Sequence, residues 1–334
     1  MASMSAGDDG AVLVTGARGA IGSWLIRELA RRRVVVVGLD VAGEAVSRFP
    51  ETATVPVIEG DLRDAALIRE VIRDLGQGHA GRPHGRAVRI VHLAALVEAA
   101  DRDPVAAIEV NALATARLLD AAAEAGVQRV VAMSTKGVMG QLPARYLHPT
   151  YEPVPVDLPP SPRSVYESTK HLVEIAARWH RRHGADVAVV RLATTWGPGK
   201  SAASHGAYSL HSEVVARAVR GERCRIDLHP DQGHDLIYYA DVAAGLADLA
   251  LSRRPLASPV YHLGSGKITT VGAFAAAVEA AFPGVRVETG GAFATGRSCL
   301  MDVSVARRDA AYEPAWDVPR ALADIRTLAA AGIT

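Results

Sequence analysis

Cysteine is nearly absent from this chain: Cys224 and Cys299 are the only two in 334 residues. Two thiols 75 positions apart exclude a disulfide framework and a cysteine-based metal knuckle. The twelve histidines do not replace them, since His205, His211, His229 and His234 lack a compact ligand spacing, and no metal site is expected. No apolar run approaches the roughly 18 residues of a membrane span. The first ten residues carry neither a basic segment nor an apolar one, so no signal peptide is expected there. Neither charge sign dominates: 37 Lys and Arg stand against 36 Asp and Glu, which removes the electrostatic footprint of a general nucleic-acid binder. No internal repeat is visible. What is present is ordinary for a packed globular protein, with 49% hydrophobic and 22% charged residues. The expectation is a cytoplasmic protein of one large or two closely joined domains, bound neither to membrane nor to nucleic acid.

The first 195 residues alternate short Val/Ile/Leu runs with amphipathic stretches. Strands are expected at 11–14, 34–37, 55–58, 88–93, 129–133 and 186–192, and helices at about 20–32, 65–75, 105–125 and 163–183. Continuous apolar strands signal burial on both faces of a parallel sheet. Their alternation with helices predicts an α/β, doubly wound (Rossmann) domain. After Leu192 the rhythm breaks into turn-rich stretches and shorter elements, including expected helices at about 208–220, 240–251, 271–281 and 319–330. The expected division is a dinucleotide-binding domain over 10–195, with 235–256 returning to it, and a smaller irregular α/β substrate-binding lobe over 196–234 and 257–334. The Gly-rich segment 76–85 reads as an exposed loop.

Gly16, Gly19 and Gly22 follow the first strand directly and open the first helix. Glycine suits a tight turn, a close approach of backbone to pyrophosphate, and a close helix–strand contact. The helix N-terminus, from Ala20 and Ile21 onward, offers unpaired N–H groups to phosphates. Asp40 ends the second strand, where a carboxylate accepts hydrogen bonds from ribose hydroxyls and repels a 2′-phosphate. The cofactor is therefore expected to be NAD, although Arg18 is placed where it can approach a 2′-phosphate or the pyrophosphate. Asp61 and Leu62 follow the third strand: Asp61 can meet the adenine amino group or cap the next helix, a role that Asp64 suits better. Leu93, Ala94 and Ala95 supply small residues beside the cofactor.

Tyr166 and Lys170 lie four residues apart on an expected helix and share a face. An ammonium beside a phenol favours phenolate, which makes Tyr166 an acid or base for hydroxyl–carbonyl interconversion. Ser134 and Thr135 end the fifth strand at the carboxyl edge of the sheet, where ligands bind in such folds. With Thr-Gly-x-x-Gly-x-x-Gly at 15–22, Gly60-Asp61-Leu62, His92-Leu-Ala-Ala95, Ser134-Thr135, Tyr166-x-x-x-Lys170, Arg191…Trp196-Gly-Pro198 and Asp235-Leu-Ile-Tyr-Tyr-Ala-Asp241 in order, the chain resembles the extended short-chain dehydrogenases/reductases, the NAD-dependent sugar epimerases and dehydratases. The resemblance implies Tyr166 as the proton-transfer residue. It also implies Lys170 tuning Tyr166 and holding the nicotinamide ribose, and Thr135 binding the substrate oxygen. A homodimer through the helices near 105–125 and 163–183 belongs to the same inference.

Departures from the family pattern bear on the reaction. Lys136 and Gly137 stand where sugar 4,6-dehydratases carry Asp-Glu, so dehydration by that mechanism is not expected. Thr194 replaces an Asn of the nucleotide-sugar enzymes, and His234 replaces a diphosphate-clamping Arg, while Arg297 aligns with a second phosphate-binding Arg. Ser134, Thr135, Thr194, Trp196, His234 and Arg297 are the expected substrate contacts. The function that follows is oxidation of a secondary hydroxyl on a sugar or sugar nucleotide, with epimerisation through a transient keto intermediate favoured. The alternatives are a dehydrogenase or ketoreductase that releases its product, and a non-catalytic dinucleotide-binding protein.

Overall fold

The computed structural model describes residues 10–43, 49–77, 88–199, 209–293 and 298–333. Its core is a seven-stranded sheet built from β1 (Ala11–Thr15), β2 (Val35–Asp40), β3 (Val57–Glu59), β4 (Val88–His92), β5 (Arg129–Met133), β7 (Val187–Leu192) and β11 (Val260–Leu263), in the order β11-β7-β5-β4-β1-β2-β3. The pairs from β3 to β7 are parallel. β1, β4, β5 and β7 are buried at every position, which is why their sequences run apolar without alternation. The strand order reverses between β1 and β4, and ligands bind beyond the carboxyl ends of strands at such a switch point.

The helices that position the cofactor side are α1 (Ala20–Arg31), α2 (Ala65–Gln77), α3 (Pro104–Ala107), α4 (Ala114–Glu124) and α5 (Val165–Arg182). Side-chain caps start three of them. The Asp64 carboxylate accepts the Ala66 and Leu67 N–H groups, so Asp64 is the cap of α2. Asp103 caps α3, with Pro104 in the first turn. The Ser164 hydroxyl accepts the Glu167 N–H at the start of α5. The helix expected over 105–125 is interrupted: Ile108–Leu113, between α3 and α4, is a π-helical turn. π-turns often mark functional positions in helices, and here the turn carries the fully buried Asn111. The expected third strand lies slightly later, at 57–59 rather than 55–58, and the helix expected from Tyr208 is described from Leu210. Of the loop expected at 76–85, Gly76 and Gln77 close α2 and the remainder lies outside the described residues.

The chain forms two compact units. The first comprises 1–134, 164–190 and 246–260, and the second 135–163, 191–245 and 261–334. These boundaries differ from the expected ones, because 135–163, 191–195 and 235–245 group with the second unit and 257–260 with the first. The reason is pairing. β8 (Thr194–Trp196) and β12 (Ile268–Thr270) flank β10 (Gly233–Tyr238) in a separate three-stranded sheet. β14 (Leu300–Met301) pairs with β6 (Pro153–Val154), which anchors the 135–163 segment in the same unit. β9 (Cys224–Ile226) and β13 (Val287–Thr289) form the remaining parallel pair. Among the described residues no helix is long and apolar enough to cross a membrane.

Candidate active site

The turn after β1 is shaped by glycine where the geometry requires it. Gly16 has φ +70°, and a Cβ on it would lie 2.8 Å from the Ala94 nitrogen. A Cβ on Gly22 would lie 2.1 Å from the Gly16 carbonyl oxygen. Side chains at either position would push the turn away from α1 and from the 93–95 loop. The Gly16 N–H donates to the Leu39 carbonyl and the Leu93 N–H to the Thr15 carbonyl, so the ends of β1, β2 and β4 are locked together. Gly19 is the N-cap of α1 and has no side chain to cover the first-turn N–H groups. Those first-turn donors are the ones expected to meet phosphates.

At the end of β2 the Asp40 carboxylate accepts the Arg18 and Val41 N–H groups, each at 2.8 Å. Two backbone donors hold the carboxylate in place with lone pairs left for a ribose. The Arg18 guanidinium donates to the Val41 carbonyl and pairs with Glu59 at 2.8 Å. Arg18 is thereby drawn toward Glu59 and the edge strand. Asp61 is gripped by Arg63, with Nη2 to Oδ2 at 2.6 Å, and this side-chain hydrogen bond holds its carboxyl below the usual range. Leu62 is buried in the core between sheet and helices.

Tyr166 and Lys170 share a face of α5, with the Lys170 ammonium 6.0 Å from the centre of the Tyr166 ring. Lys170 is 1% exposed, and burial pulls its pKa from 10.5 down to about 8. It accounts for part of the lowering at His92, whose pKa falls to about 3, chiefly because the ring is fully buried. His92 is therefore neutral. Its two ring nitrogens bridge Thr15 Oγ1 at 2.7 Å and Thr115 Oγ1 at 2.8 Å, joining β1 to α4.

Two supporting residues escaped the sequence reading. Asn111, on the π-turn, accepts the Leu96 N–H and donates to the Leu96 carbonyl, both at 2.8 Å, and also reaches Thr169 Oγ1. It ties the loop beyond Ala95 to the helix that carries Tyr166. Glu174, fully buried one turn beyond Lys170, accepts the Ser134 hydroxyl at 2.8 Å. Ser134 was expected to contact substrate; its hydroxyl is instead committed to Glu174, and it is 5% exposed. The available signals were an Asn among the apolar residues of 105–113 and a Glu four positions after Lys170.

In the second unit Thr135 heads the turn Lys136–Met139, and its Oγ1 accepts the Gly137 N–H at 3.2 Å, which leaves its own proton to donate. Lys136 Nζ donates to Thr194 Oγ1 at 2.7 Å. His234 is buried, its Nδ1 lies 3.3 Å from Ser298 Oγ, and burial takes its pKa to about 3. A neutral imidazole is not the anion clamp that an arginine would be. Trp196, expected among the substrate contacts, is only 1% exposed and packs on Tyr238 and Phe274. Its ring is part of the interior of the second unit. Arg297 lies outside the described residues. Among the described residues no cluster of His, Cys, Asp and Glu could hold a metal ion.

These features fit NAD: a glycine cradle that a Cβ would fill, an uncapped helix start, a poised carboxylate at the end of β2, and a buried ammonium with no acceptor among the described residues. The model of the NAD dependent epimerase/dehydratase family matches residues 12–264. A dTDP-L-rhamnose 4-epimerase of Burkholderia thailandensis is 25% identical over 95% of this chain and 94% of its own length. A dTDP-glucose 4,6-dehydratase of Streptomyces antibioticus is 29% identical, covering 76% of this chain and 72% of its own length. Among solved structures, MoeE5 in complex with UDP-glucose and NAD is 28% identical with a TM-score of 0.74, over 97% of this chain and all of that one. The Thermus thermophilus UDP-glucose 4-epimerase complex with NAD is 26% identical with a TM-score of 0.72, over 95% and 99%. Glycine cradle, Tyr-x-x-x-Lys helix and family match agree, and the chain belongs to the NAD-dependent epimerase/dehydratase family of extended short-chain dehydrogenases/reductases.

Proposed function

We propose that this protein inverts a secondary-alcohol centre of a nucleotide-linked sugar through a transient ketone, with NAD as a retained cofactor. The observation that carries the reading is the pairing of Tyr166 with the buried ammonium of Lys170 on one face of α5. The ammonium favours phenolate at Tyr166, which takes the proton of the substrate hydroxyl and later returns it. Lys170 also supplies donors to the nicotinamide ribose, and the Thr135 hydroxyl donates to the substrate oxygen. When bound, the nicotinamide supplies a reversible two-electron acceptor. Gly16, Gly19 and Gly22 admit the pyrophosphate to the start of α1, and Asp40 receives the ribose hydroxyls. Lys136 and Gly137 supply no carboxylate for water elimination, which favours inversion over dehydration.

The chain acts as a homodimer in this reading. Val105, Ile108 and Leu113 on the α3–α4 stretch, and Leu172, Ile175 and Trp179 on α5, are 44–66% exposed. Such an apolar face on two neighbouring helices is a surface for a second copy. Two buried free thiols suit a cytoplasmic location.

The test is to denature the protein as purified and quantify the nicotinamide released, alongside turnover of the Tyr166→Phe variant. Near-stoichiometric NAD, with turnover lost and NAD retained in the variant, is expected. A site that exchanges NAD freely and accumulates NADH with substrate would make the protein a dehydrogenase instead. Unimpaired turnover by Tyr166→Phe would remove the mechanism.

A further inference from the structure

Lys136 follows Thr135 directly, and its ammonium has one hydrogen-bond acceptor among the described residues. One ammonium proton goes to Thr194 Oγ1 at 2.7 Å. Among the described residues no carboxylate forms an ion pair with Lys136. The nearby acid, Asp235, is already committed: Oδ1 accepts the Ser265 N–H and hydroxyl at 2.6 and 2.7 Å, and Oδ2 accepts the Met301 N–H at 3.1 Å. Lys136 also acts electrostatically on His234, whose ring is 9% exposed. The Nε2 atom of that ring is buried with no hydrogen-bond partner among the described residues. When the Ser298 hydroxyl donates to Nδ1, the neutral tautomer carries its proton on Nε2, an unmet donor. A buried donor left unmet is costly, and the His234 Nε2 proton beside the half-buried Lys136 ammonium, which keeps donors beyond its bond to Thr194, suits an oxyanion.

We propose that Lys136, held by Thr194 and assisted by His234, recognises a carboxylate on the sugar ring, so that the preferred substrate is a nucleotide-linked hexuronate rather than a neutral hexose. This rests on the functional reading above and narrows it. Position supports a sugar carboxylate over the diphosphate: Lys136 adjoins Thr135, the residue assigned to the reacting oxygen.

The experiment is calorimetric binding to the NAD-loaded protein of glucuronate and glucose carried on UDP and on dTDP, with UDP and dTDP alone as the diphosphate arm. Lys136→Met and Lys136→Arg are measured beside the parent protein. The parent should bind the uronate at least about tenfold more tightly than the hexose. Lys136→Met should lose that preference with affinity for the hexose and the free diphosphates unchanged, and Lys136→Arg should keep most of it. Equal binding of uronate and hexose by the parent overturns the proposal alone. So does a Lys136→Met variant weakened toward the bare diphosphates as much as toward the uronate, which would assign Lys136 to the phosphates. Failure of every sugar nucleotide to bind, with NAD still bound, overturns both this proposal and the nucleotide-sugar reading beneath it.

Discussion

The Lys170 ammonium lies 6.0 Å from the Tyr166 ring centre, on a side chain only 1% exposed. A charge so placed is held at a cost to the fold. Burial lowers its pKa from 10.5 to about 8, so the folded protein holds this proton less tightly than the unfolded chain. Below pH 8 both states are protonated and the whole penalty, on the order of 3 kcal/mol at about 1.4 kcal/mol per pKa unit, is present. Between pH 8 and 10.5 the unfolded chain binds more protons, so stability rises with pH and the penalty fades. Lys170→Met should therefore stabilise the NAD-free protein at pH 7 by a few kcal/mol and flatten the rise between pH 8 and 10.5, while turnover is lost. Urea unfolding at pH 7 and pH 9.5 checks this, and an unchanged pH slope in the variant would count against it.

Asp40 gives a second test, of the cofactor. Its carboxylate is held by the Arg18 and Val41 N–H groups, so it is already oriented before any ribose arrives. A 2′-phosphate would face this fixed negative charge. Asp40→Ala should weaken NAD binding by roughly tenfold or more, as expected for loss of a hydrogen bond to a charged group at about 1.5–3 kcal/mol. The preference for NAD over NADP should shrink with it. Cofactor titrations of parent and variant measure both effects, and an unaltered preference would remove the ribose assignment.

The parts of this site legible in the sequence are those set by short-range geometry. Gly16, Gly22 and Asp40 occupy a strand–turn–helix–strand unit whose backbone demands are local, and Tyr166 and Lys170 need only one helical turn between them. Asn111, Glu174 and the Asp235 anchor were not legible, because their partners Leu96, Ser134 and Met301 lie 15 to 66 positions away. The π-turn that carries Asn111 has no signature in a run of Ile, Val, Ala and Leu. The unit boundaries were obscured for the same reason: β8 reads as the tail of β7, and only its long-range pairing with β10 takes it out of the central sheet.

The apolar face of α5 supplies the last test. Leu172, Ile175 and Trp179 recur at three- and four-residue intervals, so they form one stripe, and each is nearly half exposed. Trp179 stacks on His183 at 4.0 Å, which holds the indole outward as a flat anchor. Covering one such side chain contributes about 1.5–3 kcal/mol, and a symmetric dimer counts each contact twice. Trp179→Glu removes that contribution and places a carboxylate where it would have to be desolvated beside its own copy. Sedimentation velocity at micromolar concentration should show a dimer for the parent protein and a monomer for Trp179→Glu. NAD affinity should be little changed, since Trp179 is on the exposed side of α5 and Lys170 on its buried side. A variant that sediments as the parent does would show that this stripe is not the interface.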